Sequence, residues 1–208
     1  MFTGIVQGKG VVFAVEDKRD YRRIEVELPK DLVADLKIGA SVAVGGACLT
    51  VTDIRSQSVV GFDVVRETLL RTTLGALEVG SSVNIERSAR KTDEVGGHIL
   101  SGHIDCVGEI VSLETPENNV LMKCSVPLQF SKYIFSKGYI AVDGASLTVN
   151  NADASNGTFE IWLIPETLRV TTFGASKVGD KLNVEIDRST QVIVDTVERF
   201  LRENSTKN

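Results

Sequence analysis

This chain of 208 residues is poor in the side chains that carry most metal and redox chemistry, with three cysteines and two histidines. Cys48, Cys106 and Cys124 are odd in number and follow no zinc or disulfide spacing, so they read as reduced thiols of a cytoplasmic protein. His98 and His103 stand at i and i+5, which does not place both on one helical face, and no third ligand clusters beside them. No metal site is expected there. No apolar run approaches the roughly 20 residues of a membrane helix. Met1-Phe2-Thr3-Gly4-Ile5-Val6-Gln7 lacks the charged start and long apolar core of a secretory signal. The net charge is −5, and no Lys/Arg cluster stands clear of acidic neighbours, which argues against a nucleic-acid partner. Gly8-Lys9-Gly10 lacks the third glycine and the βαβ setting of a dinucleotide fingerprint. Gly4 to Lys9 is one residue short of a P-loop, and no Gly-x-Ser-x-Gly elbow occurs.

What is present is repetition. Gly46-Ala47-Cys48-Leu49-Thr50-Val51 returns as Gly144-Ala145-Ser146-Leu147-Thr148-Val149, and Glu67-Thr68-Leu69 returns as Glu166-Thr167-Leu168. Thr72-Thr73-Leu74-Gly75 returns as Thr171-Thr172-Phe173-Gly174, and Val83-Asn84-Ile85-Glu86 as Leu182-Asn183-Val184-Glu185. The offset is 98 or 99 residues throughout. A fixed offset over four separated blocks means a duplicated domain, and the period is far too long for a solenoid of about 20–50 residues per unit. With 42% of the chain hydrophobic, each half can close a small core of its own.

Ile24 to Leu28 alternates with period two, as a half-buried strand does. Further strands are predicted at 41–44, 49–54, 59–64 and 82–86. Their partners in the second half fall at 122–126, 140–142, 147–150, 158–163 and 181–186. About six short strands per half predict a small antiparallel barrel. Short helical segments are expected near Pro29 to Leu36 and Pro127 to Phe135, where a proline opens an apolar-periodic stretch. After Asp187, Ser189 reads as an N-cap, and Ile193, Val197, Phe200 and Leu201 share one helical face with Val194 beside it. That helix has no counterpart in the first half; it either packs on its own barrel or pairs with copies of itself. The expected fold is mainly β: two tandem six-stranded antiparallel β-barrels related by duplication, plus a C-terminal α-helix. The expected domains are 1–97, 98–187 and 188–208.

Three features stand out as candidate chemistry. Gly96-Gly97-His98-Ile99-Leu100-Ser101-Gly102-His103 joins the halves. It is either a plain linker or a loop that approaches a ligand closely and moves protons. The paired Gly-x-[Cys/Ser]-Leu-Thr segments are either barrel strands with buried Cys and Ser or a shared ligand-binding turn, and their retention in both halves favours the turn. Glu67 and Glu166 either cap a turn or accept hydrogen bonds from a polyol.

Taken in order, Met1-Phe2-Thr3-Gly4-Ile5-Val6, the Cys48-Leu49-Thr50-Val51 and Ser146-Leu147-Thr148-Val149 pair, Gly96-Gly97-His98 with Ser101-Gly102-His103, Lys132-Tyr133-Ile134 with Lys137-Gly138-Tyr139-Ile140, and Ile164-Pro165-Glu166-Thr167 resemble the riboflavin synthase family. The resemblance runs from Met1 through the tail helix. It implies a transferase that dismutates two molecules of 6,7-dimethyl-8-ribityllumazine. One donates a four-carbon unit to the other, giving riboflavin and 5-amino-6-ribitylamino-uracil, the last step of riboflavin synthesis, with no cofactor and no metal. It also implies a homotrimer whose active site forms between the N-terminal barrel of one subunit and the C-terminal barrel of the next. The tail helix would supply part of the trimer contact, and a lumazine synthase shell is a possible partner.

Carried over by position, a first pocket would use Gly4, Ile5, Val6, Cys48, Leu49, Thr50, Asp63, Val64, Val65, Arg66, Glu67 and Thr68. A second would use Gly102, His103, Ile104, Lys137, Ser146, Leu147, Thr148, Trp162, Leu163, Ile164, Pro165, Glu166 and Thr167. The repeat places Ser146 opposite Cys48, Asp143 opposite Gly45, His103 opposite Gly4 and Tyr139 opposite Ser41. Two pockets that bind alike with unlike reactive groups are what a dismutation needs, and holding both substrates in register makes the step effectively unimolecular. The expected roles follow. His103 assists proton loss from the 7-methyl group of one lumazine, with Asp143 and Ser146 orienting it or relaying the proton. Cys48 and Ser41 act at the other ring, and Phe2 closes the site. Many members of the family carry Asn where this chain has Gly45, which removes an amide beside Cys48. The alternative reading is a non-catalytic lumazine- or flavin-binding chromophore protein of the same fold; a flavin-reductase barrel would need a nucleotide-binding βαβ unit that this chain lacks.

Overall fold

The structure, a computed structural model, describes residues 1–56 and 58–205. The first half runs β1 (Gly8–Asp17), β2 (Tyr21–Glu27), α1 (Lys30–Val33), β3 (Ser41–Val44), β4 (Ala47–Ile54), β5 (Val59–Val65), α2 (Arg66–Arg71), a 3-10 turn at Thr73–Ala76 and β6 (Ser82–Arg87). The second repeats it: β7 (Cys106–Glu114), β8 (Val120–Ser125), α3 (Leu128–Ser131), β9 (Tyr139–Val142), β10 (Ala145–Asp153), β11 (Thr158–Leu163), α4 (Pro165–Val170), a 3-10 turn at Thr172–Ala175 and β12 (Lys181–Ile186). Helix α5 (Arg188–Ser205) follows. The expected tail segment extends to residues 206–208, which lie outside the described residues.

Each half closes into an antiparallel barrel, in strand order β1-β2-β5-β4-β3-β6 for the first and β7-β8-β11-β10-β9-β12 for the second. Bulges recur at equivalent places, between Val12 and Ala14 and between Val51 and Asp53 in one barrel, and between Ile110 and Ser112 and between Val149 and Asn151 in the other. Such bulges bend the long strands so that a small sheet can close on itself. Alternation decides what each strand presents. On β4, Leu49 and Val51 enter the core while Cys48 and Thr50 face outward; β10 does the same with Leu147, Val149, Ser146 and Thr148. The cores are separate. One gathers Ile24, Val26, Val51, Phe62 and Ile85; the other gathers Met122, Cys124, Val149, Phe159 and Val184. Cys106 and Cys124 lie within the second core, where burial pushes both thiols up to about 12 and leaves them unreactive.

The structure adds elements that the sequence pattern hides. β1 and β7 are strands despite their interior glycines and charges, because the barrel pairs them on both sides. The Glu67 and Glu166 segments are six-residue helices, α2 and α4, and neither glutamate caps its helix. Each instead pairs with an arginine on the same exposed face, Glu67 with Arg71 and Glu166 with Arg169. The proline-led helices are four residues each, shorter than the expected stretches.

Helix α5 is capped by Asp187, not Ser189. The Asp187 carboxylate accepts from the backbone N–H of Thr190 at 2.8 Å, and its carbonyl accepts from Gln191 at 3.0 Å. Burial opposes ionisation of Asp187, but the Thr190 side chain and backbone donate to it and hold it below the usual carboxylate range. The helix is tied to its barrel through polar groups. Tyr133 donates to Asp195 at 2.5 Å, and Lys132 donates to Glu198 at 2.6 Å. Its apolar stripe stays open, with Ile193 64% and Phe200 64% exposed, so the stripe does not pack on its own barrel. Among the described residues, no helix is long and apolar enough to cross a membrane.

Candidate active site

The two barrels meet back to back at glycines. A Cβ on Gly46 would lie 2.6 Å from the backbone nitrogen of Gly144, and one on Gly144 would lie 2.9 Å from Cα of Gly46. Both have φ of +82°, so glycine is required here for conformation and for closeness. Around this contact the hydrogen bonds are reciprocal. Asn84 accepts from Thr172 N–H at 2.8 Å and donates to the Asp143 carbonyl at 3.1 Å. Asn183 accepts from Thr73 N–H at 2.7 Å and donates to the Gly45 carbonyl at 2.7 Å.

The segments ahead of each barrel cross to the other barrel. Phe2 and Leu100 pair as an isolated antiparallel bridge. The Gly4 carbonyl accepts from Ser146 N–H at 2.8 Å, and the Gly102 carbonyl accepts from Cys48 N–H at 2.8 Å. Val6 is part of the second barrel's core, while Ile104 packs on the first. Buried carboxylates hold the crossings. Glu86 accepts from Thr3 N–H at 2.7 Å and Gly4 N–H at 3.1 Å; Glu185 accepts from Ser101 N–H at 2.8 Å and Gly102 N–H at 3.0 Å. Burial raises the Glu86 pKa, and the Thr3 and Gly4 donors oppose the rise.

This crossing rearranges the expected pockets. Gly4 to Val6 belongs beside Ser146, and Gly102 to Ile104 belongs beside Cys48, the reverse of the grouping by sequence half. Gly4 matches Gly102, with φ of +75° and +76°, so the residue opposite His103 is Ile5, not Gly4. One surface therefore carries Ser41, Cys48, Thr50 and His103. The other carries Tyr139, Ser146, Thr148 and the Ile5 segment, and the cross-strand register places Ser41 beside Thr50 and Tyr139 beside Thr148.

The remaining candidates divide by which way they point. Asp63, Val65, Arg66 and Glu67 face outward on the first barrel with Thr68 half-buried; Trp162, Ile164, Pro165 and Glu166 face outward on the second with Thr167 half-buried. Lys137 is exposed in the turn before β9, at φ of +69°. Leu49, Val64, Leu147 and Leu163 are core residues and can offer a ligand only their backbone. Asp63 also lies 3.5 Å from Arg23. Phe2 is 1% exposed and packs with Ala43, Leu100 and Ala141 between the barrels.

His103 is exposed and its imidazole is open; the backbone around it is fixed by Arg188, which donates to its carbonyl at 2.7 Å. Asp143 has its own partner. The Asp143 carboxylate accepts from Asn183 N–H at 2.7 Å and lines the interbarrel cleft of about 930 Å³, together with both 3-10 turns. Its residue keeps some exposed surface along that cleft, yet its carboxyl is enclosed, and burial pushes its pKa up to about 7 against the Asn183 hydrogen bond. Gly45, its counterpart, has φ of +54° and contacts the Asn183 amide, so the missing side chain at that position faces Asn183.

A family model described as the lumazine binding domain matches residues 3–88 and 101–187, once per barrel. The chain is 48% identical to riboflavin synthase of Escherichia coli (strain K12) over 208 residues, covering 99% of this chain and 96% of that one. The chain belongs to the riboflavin synthase family. It is also 41% identical to riboflavin synthase of Mycobacterium tuberculosis (strain ATCC 25618 / H37Rv), over 97% of this chain and 98% of that one. Among solved structures it resembles LumP complexed with 6,7-dimethyl-8-(1'-D-ribityl) lumazine, with a TM-score of 0.81 and 28% identity, covering 90% of this chain and 100% of that one. LumP complexed with riboflavin gives a TM-score of 0.82 and 29% identity over the same shares.

Within this riboflavin synthase framework, the structure adds a residue that spacing in the sequence does not reveal. His98 Nδ1 lies 2.6 Å from Ser146 Oγ, and its ring stacks on Tyr139 with centroids 5.1 Å apart. Ser146 thus pairs with His98, not with His103. The eight-residue joint is more than a linker, since it delivers one histidine to each surface.

Proposed function

We propose that this chain is a riboflavin synthase that joins two molecules of 6,7-dimethyl-8-ribityllumazine by four-carbon transfer, yielding riboflavin and 5-amino-6-ribitylamino-uracil. The observation that carries this reading is a pair of barrels with matching outward-facing Thr, Glu and glycine-turn positions but unlike reactive side chains, Cys48 and Ser146. Equal binding with unequal chemistry suits a reaction in which identical substrates take different parts. Identity of 48% to a riboflavin synthase over nearly the whole chain supports it.

In this reading the Cys48, Ser41 and His103 surface of one subunit faces the Ser146, Thr148 and Lys137 surface of its neighbour in a cytoplasmic homotrimer. The open apolar stripe of α5 supports self-association. His103 accepts the proton lost from the 7-methyl group of one lumazine. Cys48 and Ser41 position a nucleophile at the facing ring. Asp143 acts through the β9–β10 turn, which presents Ser146. The reaction uses no cofactor or metal, and a lumazine synthase shell is a candidate partner because it would supply the substrate.

The test is to mix the purified chain with 6,7-dimethyl-8-ribityllumazine alone and follow riboflavin by absorbance. One riboflavin formed per two lumazines consumed supports the reading. Tight binding with an unchanged lumazine spectrum overturns it and favours the chromophore-binding role that the likeness to LumP complexes raises.

A further inference from the structure

The joint between the barrels places His98 where Ser146 is anchored. Gly97 permits this approach, since a Cβ there would lie 2.3 Å from the Thr3 carbonyl and 2.6 Å from Ser146 Cβ. His98 is 8% exposed, and Tyr139 stacks on its ring at an interplanar angle of 18°. Nδ1 meets the Ser146 hydroxyl, while Nε2 is buried with no hydrogen-bond partner among the described residues. A buried nitrogen without a partner is costly to keep unless it serves a purpose. The ring borders a cavity of about 710 Å³ shared with Met1, Ser101, Tyr139, Asp187 and Arg188. The facing charges are few. Burial lowers the His98 pKa, Asp187 at the start of α5 works the other way, and Arg188 is occupied by Asp105 at 2.8 Å. A neutral imidazole fits these surroundings.

We propose that His98 is a positioning residue for Ser146: its neutral ring accepts the Ser146 hydroxyl hydrogen through Nδ1, so that Oγ turns only lone pairs toward the bound lumazine. This rests on the riboflavin synthase reading above. A serine hydroxyl has one donor and two acceptor sites, and free rotation would let it donate to the substrate as readily as accept. Engaging the donor removes that choice. Tyr139 fixes the ring plane, and Nε2–H points into the enclosed side. The first surface has no such arrangement, because both histidines of the chain lie in the joint, and the one next to Gly102, whose carbonyl accepts from Cys48 N–H, is the exposed His103. The serine is therefore held as an acceptor, and the cysteine is not.

The test uses the full chain with 6,7-dimethyl-8-ribityllumazine as probe, comparing wild type, H98A, H98N, S146A and the H98A/S146A double variant. Wild-type turnover is measured first, and its absence marks failure of the underlying reading rather than of this one. With wild type active, H98A should lower kcat about 10- to 100-fold while the dissociation constant for lumazine changes by less than about threefold, as expected for losing one orienting hydrogen bond in a preorganised site. Adding S146A to H98A should cause little further loss, and H98N should recover much of the rate. Multiplying losses in the double variant, or equal losses of binding and turnover, overturn the proposal. Nitrogen-15 NMR of the wild-type imidazole gives a check that survives misfolding of a variant. The Nε2–H tautomer at neutral pH supports the proposal, and the Nδ1–H tautomer or an imidazolium overturns it.

Discussion

On the first barrel, the outward face of β4 presents Cys48 and Thr50, and His103 arrives beside them on a crossing segment with its ring open. On the second, β10 presents Ser146 and Thr148, and the ring that arrives is His98, buried and already bonded to the serine. The backbones match to the level of bulges, carboxylate clamps and reciprocal asparagines. The difference lies in a few side chains at one pole. Duplication keeps the geometry that binds, and substitution at a handful of outward positions makes the two sites chemically unlike.

The largest effect should come from removing the more reactive side of that comparison. His103→Gln keeps size and hydrogen bonding but cannot move a proton at neutral pH; kcat for riboflavin formation should fall about 10²- to 10⁴-fold. Lumazine affinity, measured by fluorescence titration, should hardly change. Equal losses would make His103 a binding group and the two surfaces more alike than proposed.

Next comes the plane that keeps the barrels in register. Gly144→Ala puts a methyl group against Gly46 at positive φ and should cost about 3 kcal/mol or more in urea unfolding. Gly179→Ala is the control. It too has positive φ, +94°, but a Cβ there meets nothing within 4 Å, so it should cost only about 1 kcal/mol. Similar losses in the two variants would mean that conformation, not barrel contact, decides the stability.

Asp143 separates the barrels by charge, since its counterpart is Gly45. Its pKa in the fold, about 7, stands above the ordinary 3.8. Between those values the folded state holds a proton that the unfolded chain has lost. Its stabilising contribution is therefore complete below about pH 4 and is lost as pH rises through about 7. Asp143→Asn should remove that slope and gain about 2 kcal/mol at pH 8. Urea titrations at pH 5 and pH 8 check this, and an unchanged slope would show that another group carries it.

The smallest effect concerns the element that the first half lacks. Asp187→Ala removes the cap of α5 and should cost about 1 kcal/mol of thermal stability while raising exchange of the Thr190 and Gln191 amides. Exchange left as in wild type would show that the helix is held mainly by Tyr133 and Lys132.

The barrel pair was readable from the sequence because repeat spacing and period-two alternation are local signals, carried most clearly by the matching strands Ala47–Ile54 and Ala145–Asp153. β1 and β7 escaped because interior glycines and charged residues blur alternation until a neighbour on each side supplies the pairing. The crossing of Gly4 and Gly102 was invisible for a different reason. Grouping residues by half assumes that sequence neighbours share a site, whereas the hydrogen bonds from Ser146 to Gly4 and from Cys48 to Gly102 each join a strand of one barrel to the segment that leads into the other. The pairing of His98 with Ser146, 48 positions away, follows no helical or strand spacing and depends on Gly97 allowing a contact closer than any side chain would.

Because Val6 seals the second barrel and Ile104 the first, neither half is complete by itself. A lone first half could satisfy its own core only by trading end segments with a second copy, giving a dimer of two identical surfaces. In such a dimer every mutation appears twice, so a change that suits a donor also alters the acceptor. Joining the copies in one gene breaks that symmetry. The covalent link lets each surface change separately while their one-to-one ratio stays fixed.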